Sequence, residues 1–181
     1  MKNITVIGLG SMGYGIAQSL IRSGYNVYGQ DKNTVQQKKL IEEGGLDAEI
    51  PFGDLDAVII VVLNEAQTRD IIFGEEGIAD KLKKHTLVIV CTTVSPNFAK
   101  EMATACENKE LLYLDAPISG GSIKSSQGKL SYMVSGSKNA LVAAKPILDS
   151  TSETVFEFGE VVGSGSAMKA VNQMLAGVHI A

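Results

Sequence analysis

The chain of 181 residues has no tryptophan, only four prolines, two cysteines and two histidines, and no long apolar run. Cys91 and Cys106 form neither a CxxC pair nor a metal-ligand spacing. That argues against a disulfide scaffold or a zinc module, and both read as reduced core thiols of a cytoplasmic protein. His85 and His179 lie far apart with no HExxH-type neighbour, so no metal site is expected. His85 reads as a turn residue and His179 as part of a helix face. There is no basic stripe. Sixteen Lys and Arg against twenty Asp and Glu leave a net charge of -4, too little clustered positive charge to neutralise a nucleic-acid backbone. No apolar segment reaches the roughly 18 residues that a membrane span needs. The first apolar stretch runs into a glycine-rich turn and reads as a first strand rather than a signal peptide.

What the chain does have is a 45% hydrophobic composition and 19 glycines. The first implies a globular domain with a real core. Short β-branched runs alternate with longer helical stretches. Strands are predicted at Ile4–Ile7, Tyr25–Gln30, Ala57–Leu63, Leu87–Val90, Leu111–Leu114, Ser131–Val134 and Thr154–Phe156, with a short one near Ala48. Ala57–Leu63 and Leu87–Val90 are continuously apolar, as parallel strands covered on both faces are. Helices are predicted from about Ser11 to Ser23, Thr34 to Glu43, Glu65 to Phe73, Asn97 to Cys106 and Ala140 to Leu148, with Pro146 marking strain or an end in the last. This alternation implies an α/β fold, a Rossmann-type doubly wound and mostly parallel sheet, with ligands at the carboxyl ends of the strands.

Gly8-Leu9-Gly10-Ser11-Met12-Gly13 follows the first strand and opens the first helix. In that position Gly8 permits a tight turn, Gly10 lets backbone approach a pyrophosphate, and Gly13 lets helix and strand pack closely. The helix N-terminus offers N–H groups and a positive dipole end to phosphates. Asp31 closes the second strand, where a carboxylate would accept from ribose hydroxyls and repel a 2′-phosphate. NAD is therefore expected over NADP, although the adjoining Lys32 softens the preference.

Two further segments suggest chemistry. Asp115-Ala116-Pro117-Ile118-Ser119-Gly120-Gly121 follows a strand, and its bare glycine N–H groups with the Ser119 hydroxyl would cradle a carboxylate. A glycine-rich loop with no ligand is the alternative. Gly163-Ser164-Gly165-Ser166-Ala167-Met168-Lys169-Ala170-Val171-Asn172 is a glycine turn opening a helix, with Lys169 and Asn172 on one face. A lysine near a helix N-terminus, and buried, has a lowered pKa and suits proton exchange. A solvated lysine is the alternative.

Taken together and in this order, the three segments resemble the 3-hydroxyisobutyrate dehydrogenase family of β-hydroxyacid dehydrogenases, over nearly the whole chain. The resemblance implies cofactor contacts at Gly8, Leu9, Gly10, Ser11, Met12, Gly13, Asp31, Leu63, Asn64, Gln67 and Thr93, and substrate contacts at Ser119, Gly120 and Gly121. It also implies a catalytic pair, Lys169 and Asn172. In that reaction Lys169 takes the hydroxyl proton of a small hydroxy acid while hydride passes to nicotinamide, and Asn172 orients. Tyr28–Asp31 and Leu175–Ala181 look most like the L-threonate dehydrogenases of the family. Lys124, where small residues are more usual, points either to a more acidic substrate or to a solvated loop. A tartronate-semialdehyde (2-hydroxy-3-oxopropionate) reductase shares all three motifs, and a non-catalytic NAD-binding module is a further alternative. A 6-phosphogluconate dehydrogenase would need a phosphate-binding set that is not found, and imine reductases generally lack the lysine.

Residues 1–160 read as an NAD-binding domain and 161–181 as the start of a long interdomain helix. Val171, Met174, Leu175, Ala176, Val178 and Ile180 spread around that helix, so it should be buried. The expectation is a cofactor-binding half that lacks an all-helical second domain, through which family members form homo-oligomers.

Overall fold

The computed structural model describes residues 2–180, with side chains over 2–176. The readings of His179 and of the stretch through Val178, Ile180 and Ala181 fall outside those described side chains. The chain runs through β1 (Asn3–Ile7), α1 (Gly13–Arg22), β2 (Asn26–Gln30), α2 (Thr34–Glu42), β3 (Ala57–Ile60), α3 (Glu65–Phe73), β4 (Leu87–Val90) and α4 (Pro96–Glu107). It continues through β5 (Leu112–Asp115), β6 (Ile118–Ser119), α5 (Gly121–Ser126), β7 (Leu130–Gly136), α6 (Lys138–Thr151), β8 (Ser152–Glu157) and α7 (Ser164–Ile180). Five strands are parallel in the order β2-β1-β3-β4-β5; β7 is antiparallel to β5, and β8 is parallel to β7. The sheet is thus mostly parallel and doubly wound, as the alternation predicts.

Side chains alternate between the two faces of each strand. Ile4, Val6, Ala57, Ile59, Leu87 and Ile89 join one core with Ile16 and Leu20 of α1 and Ala144 and Ile147 of α6. Ile7, Val58, Ile60, Val88 and Val90 join the other with Ile72 of α3 and Phe98 and Met102 of α4. Both faces of β3 and β4 are buried, which is why those strands are apolar throughout. Cys91 and Cys106 are free and buried in these cores, where burial pushes the Cys106 thiol up to about 12.

The structure corrects several boundaries. No strand forms near Ala48; Leu46 gives one hydrogen bond to the Val27 carbonyl, and a single bond makes no ladder. The third strand stops at Ile60: the Val61 N–H still donates to the Ile7 carbonyl of β1 (2.9 Å), but that of Val62 turns to the Thr92 hydroxyl. Pro146 does not end its helix. It lies inside α6 on an exposed face, where the carbonyl it leaves without a donor is on the solvent side.

Two elements were not anticipated. β6 continues β5 across Ala116-Pro117, where Pro117 has no N–H to give but its carbonyl still accepts from Met133 of β7. Leu114↔Gly136, Asp115↔Ser135, Ile118↔Tyr132 and Ser119↔Ser131 hold a single register against β7. α5 lies across α1, and a Cβ at Gly15 would stand 2.5 Å from the Ser126 nitrogen. That glycine is what allows the crossing.

Candidate functional site

β1 lies between β2 and β3, so the connections from β1 (to β2) and from β3 (to β4) leave in opposite directions and a crevice opens at the carboxyl ends of β1 and β3. A cleft of about 550 Å³ fills it, lined by Gly8, Gly10, Ser11, Met12, Gly13, Asp31, Leu63 and Gln67 among others. The three glycines of the loop have different reasons. Gly8 has φ 95°, and a Cβ there would fall on the Val61 carbonyl oxygen; one on Gly13 would fall on the Gly8 carbonyl oxygen. Those two weld β1, β3 and α1 together. A Cβ on Gly10 would meet nothing within 4 Å. Gly10 therefore keeps the cleft open rather than keeping the fold closed.

The start of α1 is bare. No side chain caps it, and no acidic residue lies in its first turn. Among the described residues the N–H groups of Ser11 and Met12 have no backbone acceptor. Unspent donors at the positive end of a helix suit a phosphate. Across the mouth, the Asp31 carboxylate is fixed by the Leu9 N–H (2.5 Å) and the Asn33 N–H (2.7 Å). Leu9 itself is 1% exposed and contributes backbone only. The donor-rich loop, the open Gly10 position and the held carboxylate fit a dinucleotide.

The other expected cofactor residues divide. Asn64 caps α3, accepting from the Gln67 N–H (2.9 Å), while the Gln67 side-chain oxygen accepts from the Leu63 N–H (3.0 Å). This reciprocal arrangement engages both side-chain amide oxygens at the helix end. Leu63, 86% exposed, is left projecting at the cleft. Thr93 is exposed and does not line the cleft; its neighbour Thr92 is the buried one.

Ser119, Gly120, Gly121, Lys169 and Asn172 do not line the cleft either. Ser119 and Gly120 lie against β7, and α7, the helix that carries Lys169 and Asn172, packs on the same strand. Ser119 pairs with Ser131, and the Met133 N–H donates to the Pro117 carbonyl (3.0 Å). On the same strand the Met133 carbonyl lies against Gly165, at the start of α7. Gly120 (φ 135°) and Gly121 (φ 74°) turn the chain from β6 into α5, so the bare N–H groups open a short helix rather than an irregular loop. Lys124 of α5 pairs with Glu153 on the surface, 3.3 Å away. Lys169 is 8% exposed, and burial alone lowers its pKa, no charged neighbour contributing. Asn172, one turn on, is half-buried.

Sequence reasoning missed the group beneath the first turn of α7. Asp115 is fully buried and accepts from the Ser135 hydroxyl (3.0 Å), the Ser166 N–H (2.9 Å) and the Ser166 hydroxyl (2.6 Å). The signal was a lone aspartate at a strand end with apolar neighbours, which needs partners wherever it is buried. No group of three or more metal-ligating side chains occurs among the described residues, and no described helix is long and apolar enough to cross a membrane.

Residues 3–159 match the family model described as the NAD binding domain of 6-phosphogluconate dehydrogenase. The chain is 44% identical over 184 residues to an L-threonate dehydrogenase of Haemophilus influenzae, covering 99% of this chain and 61% of that protein. It is 40% identical over 183 residues to one of Escherichia coli, with 99% and 61% covered. Among solved structures, a 3-hydroxyisobutyrate dehydrogenase from Salmonella typhimurium superimposes with a TM-score of 0.94 at 38% identity, over 99% of this chain and 64% of that one. The chain thus spans about three fifths of the length of these relatives.

Proposed function

The chain belongs to the family of NAD-binding domains of 6-phosphogluconate dehydrogenase, and on that premise we propose that it is the cofactor-binding part of an NAD-dependent hydroxyacid dehydrogenase. The observation that carries this reading is the cleft at the β1–β3 switch point, where Gly10 is open and Asp31 is held by backbone N–H groups. The start of α1 and the N–H groups of Ser11 and Met12 would hold the pyrophosphate. Asp31 would take the ribose hydroxyls and favour NAD over NADP. When bound, the nicotinamide supplies the hydride acceptor.

The chain's own residues do the rest. Ser119, Gly120 and Gly121 would seat the carboxylate of a small hydroxy acid. Lys169, its pKa lowered by burial, is the group suited to accept the hydroxyl proton in oxidation and return it in reduction. Asn172, on the same helix face, would orient substrate or amine by hydrogen bonding. The relatives named L-threonate dehydrogenase favour a threonate-like substrate.

The test is turnover with NAD on L-threonate, 3-hydroxyisobutyrate and glycerate, and on tartronate semialdehyde with NADH. Oxidation of L-threonate above the others is expected. Lys169→Ala should then lower turnover roughly a hundredfold to ten-thousandfold and leave NADH binding unchanged. Preference for tartronate semialdehyde would replace the substrate assignment, and full activity of Lys169→Ala would remove the lysine from the mechanism. NADH binding with no turnover on any of the four would leave a non-catalytic NAD-binding module.

A further inference from the structure

Asp115 is a buried carboxylate with no cationic partner among the described residues. Such a group is costly unless hydrogen bonds replace its lost hydration. Here all its donors come from two places: the Ser135 hydroxyl of β7, and the N–H and hydroxyl of Ser166 in the first turn of α7. The Gly165 N–H donates to the same Ser135 hydroxyl at 3.1 Å. A carboxylate at the positive end of a helix is also favourably placed for charge.

The surrounding contacts leave the helix one seat. A Cβ on Gly165 would fall on the Met133 carbonyl oxygen and lie 3.1 Å from the Asp115 carboxylate. Gly163, at φ 94°, would place a Cβ 2.7 Å from the Pro96 carbonyl oxygen. The first turn of α7 is therefore pressed against β7 on one side and the start of α4 on the other, with Asp115 underneath. Lys169 is three residues beyond Ser166 and shares its helix face. Asp115 is fully buried and its oxygens are committed to these bonds, so it is turned away from ligand although it opens the segment that leads to Ser119.

We propose that Asp115 is a positioning residue: with Ser135 and Ser166 it locks the first turn of α7 onto β7 and so holds the Lys169 side chain in its buried setting. The proposal rests on the reading of Lys169 as the proton-exchanging group. It gives the Asp that begins Asp115–Gly121 a duty separate from substrate binding, and it ties the substrate segment and the lysine to one anchor.

The experiment is an NMR titration of the Lys169 side chain in the full chain, with isotope-labelled lysine and the signal assigned through Lys169→Arg. In the unaltered chain Lys169 should titrate below the other lysines; if it titrates with them, the reading of Lys169 fails. In Asp115→Ala the Lys169 value should rise toward the ordinary lysine value of about 10.4. Asp115→Asn, which keeps an acceptor for the Ser166 N–H, should recover most of the original value. Loss of a negative charge alone would act in the opposite direction and lower it further. A lowered or unchanged value in Asp115→Ala, with the normal value in the unaltered chain, overturns the proposal. Should Asp115→Ala fail to fold, Ser166→Ala decides by the same sign: a smaller upward movement supports the anchor, and none removes it.

Discussion

At the carboxyl ends of β1 and β3 the chain presents bare backbone, whereas at the end of β5 it hides side chains. The first region is a run of N–H groups, an open glycine and a carboxylate held from behind by Leu9 and Asn33. The second is a buried knot of Asp115, Ser135 and Ser166 under a helix that carries Lys169. Recognition of a phosphate needs donors that nothing else has claimed. Placing a proton-exchanging amine needs a rigid seat in which every polar group is claimed. On the proposed function the two regions would solve opposite problems with the same materials, and substitutions should separate them.

The largest effect is expected where the cradle is also structural. Gly13→Ala must displace the Gly8 carbonyl, so a loss of about 3 kcal/mol in chemical denaturation should accompany loss of nucleotide binding. Gly10→Ala sharpens the contrast. Its Cβ enters open space, so stability should stay within about 0.5 kcal/mol, while NADH affinity falls roughly tenfold or more. If Gly10→Ala unfolds the chain, the division between welding and open glycines is wrong. Asp31→Asn should weaken NADH by about tenfold and narrow its advantage over NADPH, read by parallel titrations. Asn64→Ala removes the α3 cap at a cost of about 1 kcal/mol in the same denaturation assay.

The smallest effect is a slope with pH. Lys169 binds its proton less well folded than unfolded, since burial lowers its pKa. Between that lowered value and about 10.4 the unfolded state holds more protons, so stability rises with pH across the window. Lys169→Met should flatten that part of a denaturation-versus-pH curve. An unchanged slope would mean that the amine is not buried in solution.

The same contrast explains what was legible in the sequence. Gly8, Gly10 and Gly13 act within six consecutive residues, and Asp31 is placed by the end of the adjoining strand, so local pattern was enough. The two-sided burial of β3 and β4 was legible for a similar reason, as a continuous apolar run. Asp115, Ser135 and Ser166 come from three segments, and only folding brings them together. α5 was missed because its six residues, Gly121–Ser126, carry no apolar period. Its trace lay elsewhere, in Gly15, a glycine inside a helix that marks a close crossing, and in Ser125, whose hydroxyl donates to the Met12 carbonyl (2.5 Å). Asn64 and Gln67 were legible as an N-x-x-Q helix start, a local capping arrangement.

The most direct test of the account is a fluorescence titration of the chain with NADH and NADPH, run beside Gly10→Ala and Lys169→Ala. The account predicts saturable NADH binding that is tighter than NADPH binding, weakened roughly tenfold or more in folded Gly10→Ala and kept in Lys169→Ala. Absence of binding to either nucleotide, or equal binding by Gly10→Ala, would contradict the assignment of the Gly8–Gly13 loop.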